Sequence, residues 1–298
     1  MTVRQLVEIA GKPVRISNLD KVLWPRARLT KADLLDYYSR LYPYLHSHWQ
    51  GRALTVTRYP HGVEGDSFYQ KNLPAGAPEW VRACQIGGVT YVVADDLATI
   101  IWLANSGAIE MHPSTYLVSR PDTATYAIID LDPTPPLGYP AAVQAAQYVR
   151  ELLERLGLQG YPKLSGATGI HIYLPLAGGC SFEFTSHLVR EIGLVLRKQH
   201  PDKFTLERLV KKRHGVYVDY LQNSPGKTMV GVYSPRATAQ ATVSTPVCWG
   251  DLDKYQPEDF TIKTVPQWVQ ERGDLFREVL EPQPLDGLCC FFLPILDG

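Results

Sequence analysis

The sequence lacks the features that identify membrane and secreted proteins. None of its 298 residues belongs to a run of about 18 apolar side chains, the length that a membrane-spanning helix needs. The N-terminal stretch MTVRQLVEIAGKPVR also lacks the apolar segment of a secretory signal. We therefore expect a cytoplasmic protein with no membrane partner.

Cysteine is scarce, and its number and spacing argue against cross-linking of the chain by disulfides or by zinc. The chain has five cysteines, an odd number, and contains no C-x-x-C pair. A disulfide framework is therefore not expected, and neither is a zinc site. The adjacent Cys289 and Cys290 lie in the apolar run LCCFFLPIL, where buried thiols are the expected state.

The chain also lacks net charge, because 30 basic residues match 30 acidic ones. The charges are unevenly distributed, however. Residues 1–31 hold seven Lys and Arg against two acids, and residues 206–236 hold six against two. Residues 250–298 hold four against ten. Two basic segments suit a polyanionic partner, but on charge alone an ordinary solvated surface is the better interpretation.

Hydrophobic periodicity predicts a fold in which strands alternate with helices. Thr30 and Asp33 form the capping signature of a helix, and apolar residues follow them at helical spacing. This order of elements indicates an α/β or α+β architecture. Further helices are expected over residues 95–107, 141–157 and 181–199, and strands over residues 53–60, 87–95, 125–133, 170–176 and 215–223.

Three acidic residues lie at or within apolar strands. Asp130 and Asp132 end the strand IIDLDP, and the two-residue repeat of a strand turns both carboxylates to one face. Asp219 interrupts the strand VYVDY, which is otherwise rich in Val and Tyr. Like charges close together favour a bound cation, and oxygen donors suit Mg²⁺ or Mn²⁺. The ordinary alternatives are an acidic pair that meets solvent and an acid on an edge strand.

The motif SGATGIHIY combines a turn of small residues with a polar residue on a strand. Ser165, Gly166 and Gly169 form the turn, whose backbone N–H groups can approach phosphate oxygens. His171 alternates with two isoleucines and therefore faces away from them. A lone histidine on a strand is more often a core residue than a ligand contact.

Near the N-terminus, Asn18, Lys21 and Lys31 lie close together in the sequence. Lys31 opens the predicted helix, whose first backbone N–H groups are expected to be free. Helix N-termini bind phosphate, and lysine adds a positive charge. A basic loop without a ligand is the alternative.

Taken together, these motifs resemble the polymerase domain of the bacterial ATP-dependent DNA ligase D, within the archaeo-eukaryotic primase superfamily. The resemblance covers nearly the whole chain. It rests on NLDKVLWP, TKADLLDYY, SFYQKNLP, IEMHP, IIDLDP, SGATGIHIY, VYVDYLQNSPGKT and YSPRATAQATVSTPVCW. It implies a primase-type α/β core with mixed, largely antiparallel sheets flanked by helices. It also implies a single catalytic domain, with a 5′-phosphate-binding part at 1–52, a catalytic core at 53–250 and a closing segment at 251–298.

The resemblance further implies a template-directed nucleotidyltransferase that uses two divalent metal ions, Mg²⁺ or Mn²⁺. Such an enzyme extends DNA ends and fills gaps in non-homologous end joining, and it prefers NTPs to dNTPs. The implied partners are DNA with gaps or broken ends that bear a 5′-phosphate, a Ku-type protein and an ATP-dependent DNA ligase. The protein would then be associated with the nucleoid.

The resemblance assigns a role to each matching residue. The metal ligands and catalytic residues are Asp130, Asp132 and Asp219. The nucleotide contacts are His112, Ser165, Thr168, His171, Gln222, Lys227 and Arg236. The pocket for the 5′-phosphate comprises Asn18, Lys21 and Lys31, and the aromatic pair that stacks on template bases comprises Phe68 and Tyr69.

The sequence departs from the family pattern at two points. Thr168 stands where the family has lysine, so one charged triphosphate contact is missing, and Lys163 or Lys227 is a candidate to replace it. In the loop before the third aspartate, Lys212 of KKRHG is nearest to the position of a family arginine. The first departure predicts a weaker grip on the triphosphate, and the second a different control of the site by this loop.

Two alternative functions stay open. The first is a replicative primase or primase-polymerase, which starts chains de novo; the absence of zinc-binding cysteines and the expected phosphate pocket weigh against it. The second is an end-binding module that tethers breaks, with catalysis secondary. The intact set of three aspartates weighs against tethering alone.

Overall fold

The computed structural model describes residues 4–284. The expectation of buried thiols at Cys289 and Cys290 therefore concerns residues outside the described part. The helices are α1 (Lys31–Trp49), α2 (Leu97–Asn105), α3 (Tyr139–Arg155), α4 (Phe182–Gln199) and α5 (Val265–Arg272). The strands are β1 (Arg4–Ile9), β2 (Lys12–Ser17), β3 (Val22–Trp24), β4 (Leu29–Thr30), β5 (Ala53–Arg58), β6 (Phe68–Gln70), β7 (Ala83–Ile86), β8 (Val89–Val93), β9 (Ala108–Pro113), β10 (Thr123–Pro133), β11 (Tyr161–Leu164), β12 (Ile170–Ser181), β13 (Phe204–Thr205) and β14 (Val216–Val218).

The chain folds into two compact units, each built from separate stretches of sequence. Unit 1 comprises residues 4–121, Thr228–Thr245 and Pro257–Asp274 of the described part. Unit 2 comprises Asp122–Lys227, Pro246–Gln256 and residues 275–284. Both units combine helices with mainly antiparallel strands, and the expected fold class is confirmed. No helix within residues 4–284 is long and apolar enough to cross a membrane.

Unit 1 contains a sheet in the order β6-β5-β8-β7, with β9 also paired to β5, and two separate two-stranded pairs, β1-β2 and β3-β4. Gly87 and Gly88 connect β7 to β8, and both have positive φ angles, which a tight hairpin turn requires. The strands expected over residues 53–60 and 87–95 are present as the shorter strands β5 and β8.

Helix α1 begins where its sequence predicted. The Thr30 hydroxyl accepts from the N–H of Asp33, and the Asp33 carboxylate accepts from the N–H of Thr30, which is a complete capping box. Two buried tyrosines then fix the helix within unit 1. Tyr37 donates its hydroxyl to the carbonyl of Tyr233 at 2.7 Å, and Tyr38 donates to that of Ile109 at 3.0 Å.

Unit 2 is organised around a sheet in the order β11-β12-β10-β14-β13. All neighbouring pairs are antiparallel except β13 and β14. Helices α3 and α4 pack against the central strand β10, whose residues Ala127, Ile128, Ile129 and Leu131 have no exposed surface. The core thus holds β10 in place up to the acidic residues at its end.

The strand expected over residues 215–223 is wrong in its second half. The strand β14 ends at Val218, and a short 3-10 helix, Tyr220–Asn223, follows. The side chain of Asn223 explains the change of direction, because it accepts from the N–H of Ile128 and donates to the carbonyl of Ile128, both at 2.8 Å. These bonds tie the chain to β10 immediately after Asp219.

Candidate functional site

The sheet of unit 2 brings the three predicted aspartates onto neighbouring strands. Asp130 and Asp132 alternate with the buried Leu131 on β10, so both carboxylates lie on one face, as expected. Asp219 follows the neighbouring strand β14, and its backbone N–H donates to the carbonyl of Asp130 at 3.0 Å. Opposite Asp132 in the register lies Tyr217. The antiparallel pairing of β10 with β14 therefore assembles this group.

Asp219 also has a structural task at its position. Its Oδ1 accepts from the N–H of Leu221 at 3.1 Å and from the hydroxyl of Tyr217 at 3.2 Å. It thereby caps the 3-10 helix that follows. Burial raises the pKa of Tyr217 to about 12, and the charge of Asp219 adds to that effect, so the tyrosine is a donor at neutral pH.

An arginine from the preceding loop lies beside Asp132. The Nη1 of Arg213 is 3.7 Å from Oδ2 of Asp132, and its guanidinium lies 3.6 Å from the ring centre of Tyr217. Burial raises the pKa of Asp132; Arg213 opposes that shift, and the charge of Asp219 reinforces it. Lys212, which lies nearest to the position of the family arginine, is exposed, and the neighbouring Arg213 is the residue of this loop that reaches the carboxylate.

The turn at 165–169 is held by its own serine. The hydroxyl of Ser165 accepts from the N–H groups of Ala167 and Gly169, both at 3.1 Å, so these two donors are engaged within the turn. A Cβ on Gly169 would come within 2.8 Å of the carbonyl oxygen of Leu131. Glycine is therefore required there, because the turn packs directly against β10 between the two aspartates.

His171 connects this turn to the acidic strand end. It lies opposite Asp130 in the β10–β12 register, and its Nε2 is 3.5 Å from Oδ1 of Asp130. On the other side of the ring, Nδ1 lies 2.8 Å from Nζ of Lys163, which pairs with it across β11 and β12. The histidine is buried, as in the ordinary alternative, but it directly contacts a predicted ligand residue.

The other residues of unit 2 that the resemblance assigned to the nucleotide lie at its surface or partly exposed. Thr168 is exposed at the tip of the turn, and Lys227 is exposed at the end of Asp122–Lys227. Gln222 is partly exposed and lies within the short 3-10 helix that Asp219 caps.

In unit 1, a buried acid holds the two remaining residues that were assigned to the nucleotide. Oε1 of Glu110 accepts from Nε of Arg236 at 3.0 Å and from the N–H of Ala237 at 3.1 Å. Its Oε2 lies 3.6 Å from Nε2 of His112, which also contacts the Thr57 hydroxyl at 3.2 Å. Burial alone would raise the pKa of Glu110, but the contacts with His112 and Arg236 lower it to about 2.

The predicted aromatic pair is exposed on β6 of the same unit. Phe68 is 46 % and Tyr69 is 49 % exposed, which is unusual for large aromatic side chains. The guanidinium of Arg58 lies 5.2 Å from the ring centre of Phe68, and the ring of Tyr69 meets that of His112 edge-on at 5.7 Å. Both rings therefore present surface on which a base could stack.

The three residues predicted to bind a 5′-phosphate are close together, but not as expected. The first N–H groups of α1 are not free: those of Lys31 and Ala32 donate to the carbonyls of Lys21 and Leu19 at 2.8 and 2.9 Å, and that of Asp33 is engaged by the cap. The Lys31 ammonium is buried and donates to the carbonyls of Ser17 and Asn105. The expectation of free helix donors is therefore wrong.

Lys21 is the more accessible of the two lysines. It is partly exposed, and its ammonium donates to the carbonyl of Pro60. The pKa of Lys31 is lowered by burial and, to a smaller degree, by the charge of Lys21. Asn18 has a φ of 53° and accepts from the N–H of Lys21 at 3.1 Å, which places the turn beside the lysine pair.

Three residues that contact the predicted site were not assigned a definite role from the sequence. Lys163 appeared only as a possible replacement for a missing charge, and Arg213 only as a letter of KKRHG. Glu110 in IEMHP was not predicted to take part in the site. A charged residue between Ile and Met on an apolar strand nevertheless indicates that it has a buried partner.

The donor chemistry of Asp130, Asp132 and Asp219 fits a hard divalent cation, since all three offer carboxylate oxygens. One positive charge, the guanidinium of Arg213, already lies beside the carboxylate of Asp132 on this face of the sheet. Within residues 4–284, however, no three acidic, histidine or cysteine side chains stand ready around a common point. The residue types thus fit a metal, while the arrangement falls short of a closed set of ligands.

Comparisons with known proteins show the family of the chain. The sequence model of the family described as LigD, primase-polymerase domain, matches residues 30–276. The bifunctional non-homologous end joining protein LigD of Bacillus subtilis is 36% identical over 290 residues, which is 93% of this chain and 47% of that protein. LigD of Pseudomonas aeruginosa is 27% identical over 264 residues, 87% of this chain and 31% of that protein.

The fold is similar to that of the polymerase domain of Mycobacterium tuberculosis ligase D in complex with DNA. The TM-score is 0.82 at 31% identity, over 89% of this chain and 97% of that one. The chain spans about half the length or less of the curated LigD proteins that it matches. The similarity therefore concerns the polymerase part of these longer proteins.

Proposed function

The chain belongs to the family of LigD primase-polymerase domains, and from this premise we propose that it is a template-directed nucleotidyltransferase that extends DNA ends and fills gaps with NTPs. The observation that carries the proposal is the group of Asp130, Asp132 and Asp219, which the paired strands β10 and β14 place on neighbouring strand ends, with His171 beside Asp130. The polymerase domain to which the fold is similar was solved in complex with DNA, which supports DNA as the partner.

The three aspartates are the residues that would hold Mg²⁺ or Mn²⁺. Two such ions would activate the attacking hydroxyl and stabilise the triphosphate of the nucleotide. The protein's own contribution is to position these carboxylates on a rigid strand end. Asp219 is held in place by its contacts with Leu221 and Tyr217.

The other polar residues are proposed to orient the substrates. The residues assigned to the incoming nucleotide are those that the resemblance gives: His112, Ser165, Thr168, His171, Gln222, Lys227 and Arg236. Phosphoryl transfer depends mainly on such positioning and on charge, so no side-chain base is required by the assignment. The exposed Phe68 and Tyr69 are assigned to the template.

The DNA end is proposed to be recognised through its 5′-phosphate by Asn18, Lys21 and Lys31. The helix donors are engaged, so the charge of the two lysines is what attracts the dianion. Lys21 is assigned the direct contact, and the buried Lys31 supports it from behind. In a cell, a Ku-type protein and an ATP-dependent ligase are proposed as partners in end joining.

Primer extension on gapped DNA tests the proposal. We expect Mn²⁺- or Mg²⁺-dependent extension across the gap, with faster incorporation of ATP than of dATP opposite the same base. DNA binding should be about tenfold tighter when the downstream strand carries a 5′-phosphate than when it ends in a hydroxyl, since charge-assisted bonds contribute ~1.5–3 kcal/mol each. Lys21→Ala should reduce that preference, and so should high salt.

The outcomes separate the alternatives. Absence of extension with tight end binding would favour a tethering module, and synthesis without a primer would favour a primase. Equal binding of both DNA ends would reject the phosphate pocket but leave the polymerase assignment intact. A clear preference for dATP would reject the ribonucleotide part alone.

A further inference from the structure

A fully buried lysine lies directly behind the candidate site. Lys163 on β11 has no exposed surface, and its Nζ lies 2.8 Å from Nδ1 of His171. The ammonium also lies 5.6 Å from the ring centre of Tyr173. A buried ammonium is costly unless polar or aromatic partners compensate for the loss of water. The contact with His171 is therefore part of what keeps this charge in the interior.

The contact with a charged Lys163 favours one of the two positions for the proton of His171. A lysine ammonium has three donors and no acceptor, so Nδ1 must accept the hydrogen bond. A neutral imidazole that accepts at Nδ1 carries its proton on Nε2. Since Nε2 is the atom that lies 3.5 Å from Oδ1 of Asp130, the ring turns an N–H toward the carboxylate. In the opposite tautomer, a lone pair would face the carboxylate and repel it.

We propose that Lys163 is a positioning residue, which fixes neutral His171 in the tautomer with the proton on Nε2 and so keeps an N–H donor at the acidic end of β10. An N–H at this point attracts anionic oxygens, whether of Asp130 or of a triphosphate. The inference rests on the proposed function in one respect, the contact between His171 and the incoming nucleotide.

The tautomer can be measured without any activity assay. In protein with ¹⁵N-labelled histidine, two-bond N–H correlations distinguish a protonated Nε2 from a protonated Nδ1, and His171→Gln assigns the signals. The wild type should show Nε2 protonated and Nδ1 bare. In Lys163→Met, which removes the donor at similar length, the signals should move toward a mixture of tautomers. Lys163→Arg keeps a side chain that has donors and no acceptor, and it should retain the wild-type pattern.

Kinetics then test whether the tautomer matters to the nucleotide. We expect Lys163→Met to lower kcat/KM for NTP about tenfold or more, mainly through KM, as for other residues that orient a ligand contact. Lys163→Arg should lose much less. The exposed Lys198→Met on α4 is the matched control for loss of a lysine. Thermal melting checks that each variant folds, since removing one partner of a buried polar pair is destabilising.

Each outcome has a distinct meaning. A proton on Nδ1 in the wild type, or a tautomer that is the same in Lys163→Met, overturns the inference whatever the activity is. A changed tautomer with an unchanged KM overturns the positioning role. If the wild type transfers no nucleotide at all, the proposed function fails, while the ¹⁵N spectra still decide the tautomer.

Discussion

Each of the two units contains an acidic side chain in contact with a histidine and a basic residue, but the order of the three differs. In unit 1 the acid lies in the middle: Glu110 contacts Arg236 at 3.0 Å and His112 at 3.6 Å. Both of its oxygens are engaged inside the unit, and its pKa is held at about 2. Glu110 thus acts as an internal counter-charge that orients two other side chains.

In unit 2 the histidine lies in the middle. His171 contacts Lys163 on one side and Asp130 on the other, and the acid comes last, at the end of a strand and near Asp132 and Asp219. The structural acid Glu110 and the candidate metal ligand Asp130 therefore have similar kinds of neighbour and differ in the order of their contacts. Four predictions test this difference between the two acids and their surroundings.

The largest effect is expected from Asp130→Asn. We expect it to reduce primer extension by about a thousandfold or more, because the three aspartates act as a unit. Folding should be little affected, since removing one of several like charges relieves repulsion. Extension and thermal melting are measured on the same samples. The exposed Asp202→Asn is the matched control, and substantial extension by Asp130→Asn would remove the distinction between the two acids.

Glu110→Gln should act first on stability, because Glu110 is a buried counter-charge and not a candidate metal ligand. The pKa of Glu110 is lowered from 4.5 to about 2, so its ionised form stabilises the fold above pH 4.5 and this contribution is lost as the pH falls toward 2. We expect the variant to lower the free energy of unfolding at pH 7 by on the order of 2–3 kcal/mol.

Urea denaturation at pH 7 and at pH 3 provides the measurement. The difference between wild type and Glu110→Gln should be full at pH 7 and clearly smaller at pH 3. The exposed Glu79→Gln of the same unit should show neither effect. A difference that does not change with pH would mean that the carboxylate of Glu110 is not the source of the stability.

A smaller effect is expected from Thr168→Lys. A charge-assisted hydrogen bond contributes ~1.5–3 kcal/mol against ~1 for a neutral one. Because Thr168 is exposed, we expect only a two- to fivefold decrease of the KM for NTP, about 0.4–1 kcal/mol. Steady-state kinetics with ATP measure it. An unchanged or raised KM would indicate that another cation, with Lys227 the exposed candidate, already serves the triphosphate.

An effect of similar size is expected from Arg213→Gln. Its guanidinium competes with a metal ion for Asp132 at 3.7 Å, so removing it should tighten Mn²⁺ binding about two- to fivefold, within the range of a partly exposed ion pair. Free Mn²⁺ is counted by electron paramagnetic resonance, without substrates. Lys212→Gln, one residue earlier and exposed, should have a smaller effect. Weaker binding by Arg213→Gln would mean that the arginine organises the site instead.

Prediction of the fold succeeded where the interactions are local. The capping box of Thr30 and Asp33 starts α1 as expected, because its partners are three residues apart. The strand after Asp219 was predicted wrongly, because the side chain that turns the chain, Asn223, bonds to Ile128, 95 residues away in sequence. β-Propensity favours a strand there, and a distant contact overrides it.

The candidate site shows the same division. Strand periodicity was enough to place Asp130 and Asp132 on one face. It could not distinguish Lys212 from Arg213, because the choice depends on how one loop meets the ring of Tyr217. Nor could it identify the engaged N–H groups at the start of α1, whose acceptors belong to the turn before it.

The sequence by itself therefore determined the family, the alternation of strands and helices, and the residue types of the site, because these follow from local periodicity and from the order of motifs. Only the tertiary structure decided which side chains contact each other: Lys163 with His171, Glu110 with Arg236, and Arg213 with Asp132. The physical reason is that burial and strand register determine these pairs. Both arise only when residues far apart in the sequence pack together.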